Sequence, residues 1–395
     1  MRKFVLTFTV LGMAAMAMLG TRHYLFAQDS AQSAAPLRGY YTRVPWTEGN
    51  DDDAAFQSAV GTTIPMFTYK ITASKDGSTR KGTMVGTSPF AATLTGTTIS
   101  TVIVPLSVTI GSTVFDPTAG NPCDSGVATT TRFHASPLVS NVTNLKFNGI
   151  NVGTTQYING FRRAEFWNKI GGSASYQNTL SPVVTAARSS VKAGTHGILF
   201  STGCTQLGVI SYSWLDSYLR NTLMPKLTTS GVIGPTKVVI FLLKNVVQSL
   251  SDPPNITNCC VLGYHGATGS PVQTYSPMEW DTSGDFGTGT QDGSVSAHEI
   301  GELMDDPLGT NPTPNWGNIG QVGGCQSNLE VGDPLSGTLM PAYILGGKAF
   351  HMQELAFFSW FFNKNGAASL GAGGKFSGNG TFGGPSKACP PGGTN

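Results

Sequence analysis

The stretch Ala297-His298-Glu299-Ile300-Gly301-Glu302-Leu303-Met304-Asp305-Asp306-Pro307 concentrates more chemistry than any other part of the chain. Residues four apart on an α-helix stand on one face, so His298 and Glu302 can reach a single metal ion, with Glu299 beside them. The order is that of the metalloprotease helix H-E-x-x-H with its second histidine replaced by a carboxylate. In that arrangement the intervening glutamate takes a proton from water activated by the metal, which is the role expected of Glu299. A carboxylate ligand is compatible with zinc, but it lowers the Lewis acidity of the ion and makes manganese or calcium more competitive. The plain alternative is the solvated acidic face of an amphipathic helix. Two features oppose it. Glu302, Asp305 and Asp306 crowd toward a helix C-terminus, where negative charge opposes the macrodipole, and they do so in a chain with only 12% charged residues.

A catalytic zinc site needs a third protein ligand. Working outward, Cys325-Gln326-Ser327-Asn328-Leu329-Glu330-Val331-Gly332-Asp333-Pro334 offers two acids in a charge-poor stretch, far enough from the helix to fold back on it. Glu330 is the expected ligand, with Asp333 or Asp306 holding a ligand from behind. His265, in Gly263-Tyr264-His265-Gly266, and His351 are alternative ligands, whereas His134 and His196 fall in the β-rich part and are weaker candidates. Other chemistries find less support. No Gly-x-Ser-x-Gly elbow occurs, and Gly346-Gly347-Lys348-Ala349 lacks the spacing of a phosphate loop. Asp281 and Asp285 can contribute to calcium binding, although their spacing is not that of an EF-hand.

Arg2 and Lys3 precede an apolar run from Phe4 to Leu19, and Leu25-Phe26-Ala27 makes a small-residue cleavage site, so residues 1–27 read as a signal peptide. The mature chain is then expected to be secreted or periplasmic and not an integral membrane protein. The net charge of +2 gives no reason to expect nucleic acid as a partner. Cys123, Cys204, Cys259, Cys260, Cys325 and Cys389 form an even set, which in an exported chain favours disulfides. A Cys123–Cys204 bridge fits the β-rich part, and the adjacent Cys259 and Cys260 are expected to serve two different partners.

Residues 28–54 lack an apolar period and read as a linker. Residues 55–200 read as a β-rich N-terminal domain. Met66 to Ile71 and Thr83 to Val85 flank the turn signal Asp76-Gly77, and Thr98 to Ile110 supplies β-branched strands. From Leu207 to Leu223 apolar residues recur at helical spacing until Pro225, which predicts a helix. Val238 to Leu243 reads as a central strand, Cys260 to Tyr264 and Val272 to Trp280 as further strands, and Tyr343 to Gln353 as a hairpin around Gly346-Gly347. Leu355 to Phe362 reads as a strand or short helix, and 363–395 as an irregular Gly-rich tail tied down through Cys389. The fold class expected is α+β: a zincin-like metal-binding domain over 201–362, with a mixed sheet and the H-E-x-x-E helix, preceded by the β-rich domain.

Gly263-Tyr264-His265-Gly266, Ser296-Ala297-His298-Glu299-Ile300-Gly301-Glu302 with Asp306-Pro307, Glu330-Val331-Gly332-Asp333 and Met352-Gln353-Glu354 occur in an order that resembles the EXORDIUM, or phosphate-induced protein 1, family and its bacterial relatives. The resemblance covers roughly residues 205 to 362. It departs from the family in that Cys325 precedes the Glu-x-x-Asp pair and no tryptophan follows Met352-Gln353. It implies an exported zincin-like domain in which His298, Glu299, Glu302 and Glu330 form a metal site. The chemistry of these residues fits an exported metal-dependent hydrolase, best read as a zinc metallopeptidase with Glu299 as general base. Its partners would be peptide or protein substrates or cell-wall material, and an edge near Val272 to Trp280 would align an extended peptide. The alternative is a non-catalytic wall or surface protein whose site holds a structural ion, or one in which residues 55–200 bind carbohydrate.

Overall fold

Val238–Lys244 alternates its side chains between two separate apolar cores: Val238, Ile240 and Leu242 enter one, Val239, Phe241 and Leu243 the other. A strand buried on both faces needs a continuous apolar run, and this one lies inside a mixed, eleven-stranded sheet. The computed structural model describes residues 36–45, 62–201, 203–362, 369–387 and 389. The signal peptide expected over 1–27 lies outside them.

We label the strands that matter below β1 (Tyr40–Val44), β2 (Gly96–Ile110), β3 (Gln177–Thr185), β4 (Gly197–Ser201), β5 (Gln206–Ser211), β6 (Val238–Lys244), β7 (Val246–Ser249), β8 (Cys259–Thr268) and β9 (Gln273–Trp280). Their order across the sheet is β3-β2-β6-β9-β8-β7-β5-β4, and β1 pairs in parallel with β8. The helix Ser294–Asp305, α2 after α1 (Tyr157–Glu165), packs on the first core. The helical run that begins at Tyr212 packs on the second, through Leu215, Leu219 and Leu223.

The protein is therefore a strand-rich α/β structure with few helices. Its sheet takes β2 and β3 from the region read as an N-terminal domain and β5 to β9 from the region read as a separate one. β2 pairs directly with β6, so the described part of the chain from Pro36 onward forms one unit.

Three further expectations need correction. Leu207 and Val209 belong to a strand, because the helix starts only at Tyr212, where the Ser211 hydroxyl accepts from the Trp214 N–H at 3.2 Å. That helical run passes through Pro225 to Thr229, since proline is tolerated in the first turn of its last segment. Val272 to Trp280 offers no sheet edge: β9 is flanked by β6 and β8. Part of the 28–54 linker is strand β1, and the rest of the linker lies outside the described residues, save for 36–39 and Pro45.

The hairpin Met66–Thr72 with Thr79–Val85 and the strands Val238–Lys244 and Cys259–Thr268 stand where the pattern put them, and the hairpin at Gly346-Gly347 forms from Tyr343–Leu345 with Lys348–Phe350, its second arm ending at Phe350 where the pattern predicts Phe350 to Gln353. Leu355 to Phe362 closes in the short helix Phe358–Phe362. The six cysteines pair as Cys123–Cys204, Cys325–Cys389 and, against expectation, Cys259 with Cys260. Complete pairing is what an oxidising compartment allows. No described helix is long and apolar enough to cross a membrane.

The C-terminal end of α2 is anchored by charge. Arg162 of α1, fully buried, meets Glu165 at 2.9 Å and makes a close ion pair with Asp305. Breaking a buried pair by removing one partner strands the remaining charges, at a cost of about 3–5 kcal/mol. Arg162→Ala is expected to lower unfolding stability by about that amount, read as a fall in denaturant midpoint; a loss under about 1 kcal/mol would show that the anchor carries little.

Candidate metal centre

α2 runs along β8 and β9 and turns His298, Glu299 and Glu302 toward the sheet, with all three at most 1% exposed. The fourth group comes from β8, and a bulge aims it. The pairing with β1 steps from Tyr40 opposite Val261 to Tyr41 opposite Gly263, so Leu262 is an extra residue in the strand. Val261 and Tyr264 consequently both face the second core, three residues apart, and His265 turns to the α2 side. Simple alternation from Val261 would have pointed His265 away from the helix.

Around Glu302 the donors divide into two groups: His298 with Glu299 and Glu302, and His265 with Glu302 and Glu330. Glu302 Oε1 is 3.0 Å from His298 Nε2 and its Oε2 is 3.6 Å from His265 Nδ1. His265 Nδ1 is also 3.6 Å from Glu299 Oε2, and its Nε2 is 3.9 Å from Glu330 Oε2. Asp333 Oδ1 stands 3.5 Å from His298 Nε2. Among the described residues, neither nitrogen of His265 and neither oxygen of Glu299 has a hydrogen-bond partner, although both side chains are fully buried. Buried polar atoms left unpaired in this way are costly unless something binds them.

Two glycines make room for this packing. A Cβ on Gly263 would stand 2.7 Å from Glu299 Cγ, and one on Gly332 would stand 2.4 Å from His298 Nδ1. Gln353 sets the tautomer of His298. Its amide N–H donates to the Gly332 carbonyl at 2.8 Å, so its oxygen faces His298 Nδ1 at 3.2 Å and accepts from it. Nε2 is then the nitrogen turned to the acids, the usual support of a metal-binding imidazole.

The strand β1 covers the cluster. The Tyr41 ring stacks on His298 with centroids 3.5 Å apart, and Arg43 Nη1 pairs with Glu330 Oε1 at 3.1 Å. On the outer side lies a groove of about 610 Å³ lined by β1 and by Gln321, Gln326, Glu330 and Asp333. Sequence reasoning missed Tyr41 and Arg43; their only signal was the short β-prone run Tyr40 to Val44. Of the expected groups, His298, Glu299, Glu302 and Glu330 converge, and His265 joins them. Glu330 groups with His265, however, and not directly with His298.

The other candidates have different duties. Asp306 accepts from the Thr310 N–H at 2.9 Å and the Asn311 N–H at 3.1 Å, closing the turn after α2. His351 pairs with Asp292 at 2.8 Å and belongs to neither group. Asp281 and Asp285 also stand outside both groups.

Burial pushes the carboxyls of Glu299 and Glu302 well above the usual range, with His298 opposing and the neighbouring acids reinforcing. Burial also brings His265 down to about 4, against the pull of Glu330. For His298 burial disfavours the imidazolium, but Glu302, Asp333 and Glu299 outweigh it and hold the ring well above its ordinary value. The acids on that side of the ring thus favour its protonated form. The donor set, imidazole nitrogen with carboxylate oxygen, suits zinc or manganese.

No family model matches the chain, and no curated protein or solved structure matches it either.

A cation must displace protons from His298 and from the raised carboxyls, so affinity is expected to weaken as pH falls. Calorimetric titration with Zn²⁺ should show tighter binding at pH 8 than at pH 6, with proton release at both; an affinity independent of pH would contradict the protonated resting state. Gln353→Leu is expected to weaken Zn²⁺ binding by about 10–100-fold, the usual effect of losing such a support. An unchanged Kd would remove Gln353 from the site.

Proposed function

We propose that this protein is an exported metal-dependent hydrolase acting on peptides. The observation that carries the reading is the convergence of two imidazoles and three glutamates at a buried point where His265 and Glu299 lack hydrogen-bond partners among the described residues. His298, Glu302, Glu330 and His265 would hold the ion, zinc in the first instance, with manganese or calcium as alternatives. A divalent cation there supplies Lewis acidity and makes water a stronger acid at neutral pH.

The rest of the chemistry falls to the chain itself. Glu299, raised above the ordinary carboxyl range by burial, is matched to taking a proton from the attacking water and passing it to the leaving amine. Gln353 keeps His298 turned toward the acids. The edge of β8, the strand that bears His265, takes up an extended segment in β1, so extended backbone is the shape that this face of the site accepts. The motif order shared with the EXORDIUM family supports a zincin-like metal site, and the three disulfides accord with an exported protein.

A second reading, a wall or surface protein with a structural ion and no turnover, is favoured by one observation: β1 seals the cluster, with Tyr41 only 5% exposed. Glu299→Gln separates the two. Under the hydrolase reading, cleavage of a peptide library falls by about 10²–10⁴-fold while bound metal persists. If the wild-type protein holds metal, unfolds on its removal and cleaves nothing, the structural reading replaces the catalytic one.

A further inference from the structure

We propose that the cluster binds two divalent cations side by side, bridged by the Glu302 carboxylate; this rests on the metal-centre reading above. The two oxygens of Glu302 are directed to different imidazoles, Oε1 to His298 at 3.0 Å and Oε2 to His265 at 3.6 Å. The two histidines fall in different groups that share only Glu302. Two ligand atoms on one zinc are at most about 4.2 Å apart, twice the metal–ligand distance. Each imidazole thus has an oxygen of Glu302 of its own within the span of a single ion.

Charge points the same way. Glu299, Glu302, Glu330 and Asp333 are each at most 6% exposed, and Arg43 is paired only with Glu330 among them. With Arg43 counted, the four carboxylates leave three formal negative charges, which a single divalent cation does not fully offset. Two histidines with four carboxylates is also the donor balance of dinuclear carboxylate centres built elsewhere from Glu-x-x-His helices. The unpaired atoms follow the same division. An ion held through His298 and Glu302 alone leaves both nitrogens of His265 unsatisfied, and a second ion on His265, Glu302 and Glu330 engages that ring.

Paired ions a few ångströms apart, as in two-metal hydrolases, bring their spins into contact when the metal is manganese. The test therefore uses the full exported chain, stripped of metal and reloaded with Mn²⁺, with metal content measured by mass spectrometry and the bound metal read by electron paramagnetic resonance. About two equivalents per chain are expected, with a spin-coupled spectrum, and His265→Ala is expected to retain about one equivalent with the six-line pattern of an isolated ion. One equivalent with an isolated signal in the wild type overturns the bridge and leaves the metal centre standing. Two equivalents retained in a folded His265→Ala also overturn it, and no bound metal in the wild type overturns both readings. The wild-type spectrum decides the matter even where the variant fails to fold.

Discussion

Four carboxylates packed together with at most 6% of each exposed, and Arg43 paired with one of them, Glu330, constitute an unstable arrangement by themselves. Burial raises the carboxyls of Glu299 and Glu302 well above their usual range, while the acids around His298 outweigh burial and favour its charged ring. Much of the surrounding architecture serves to hold this tension in place. The Arg162 pair steadies the end of α2, Gln353 and Gly332 fix the ring of His298, and Arg43 offsets part of the charge on Glu330. A site assembled at such expense to stability is more readily understood as one that is completed by cations than as a packing accident.

The sheet gives the cluster its precision. α2 alone supplies three of the donors, but the fourth reaches it only because the bulge at Leu262 reverses which face His265 occupies. Two glycines set the approach distances, since any side chain at Gly263 or Gly332 would push against Glu299 or His298. The Gly-Tyr-His-Gly and Val-Gly-Asp segments are thus geometric as much as chemical. Their small residues let backbone pass close to Glu299 and His298.

What the sequence disclosed and what it concealed follow from length scale. The motif helix, the alternating core strand Val238–Lys244 and the first hairpin each carry a period long enough to read, and all appear in place. Leu207, Val209, Tyr212 and Leu215 fit a helical spacing as well as a strand running into a helix, and only the cap at Ser211 separates the two. The shared sheet was hidden because strand neighbours more than a hundred residues apart leave no local trace; β2 beside β6 is such a pair. Likewise, which acid would stand against which imidazole depended on a single inserted residue in β8, which no periodicity reveals. Tyr41 and Arg43 lay in a run of five strand residues inside a stretch that composition marked as unstructured.

That short run, β1, has a consequence of register. Tyr41 belongs to the core beneath α2, whereas its neighbours Tyr40 and Val44 pack against the core on the other face. The strand is thus stitched through the plane of the sheet, and side chains that alternate cannot shift by one place without exchanging sides. A single residue gained or lost inside it would bring Tyr40 or Thr42 over His298 and take Arg43 from Glu330. The cover over the His–Glu cluster can accordingly be closed in one alignment or absent, with no intermediate fit, which makes those five residues behave as a keyed latch and not as a loose flap.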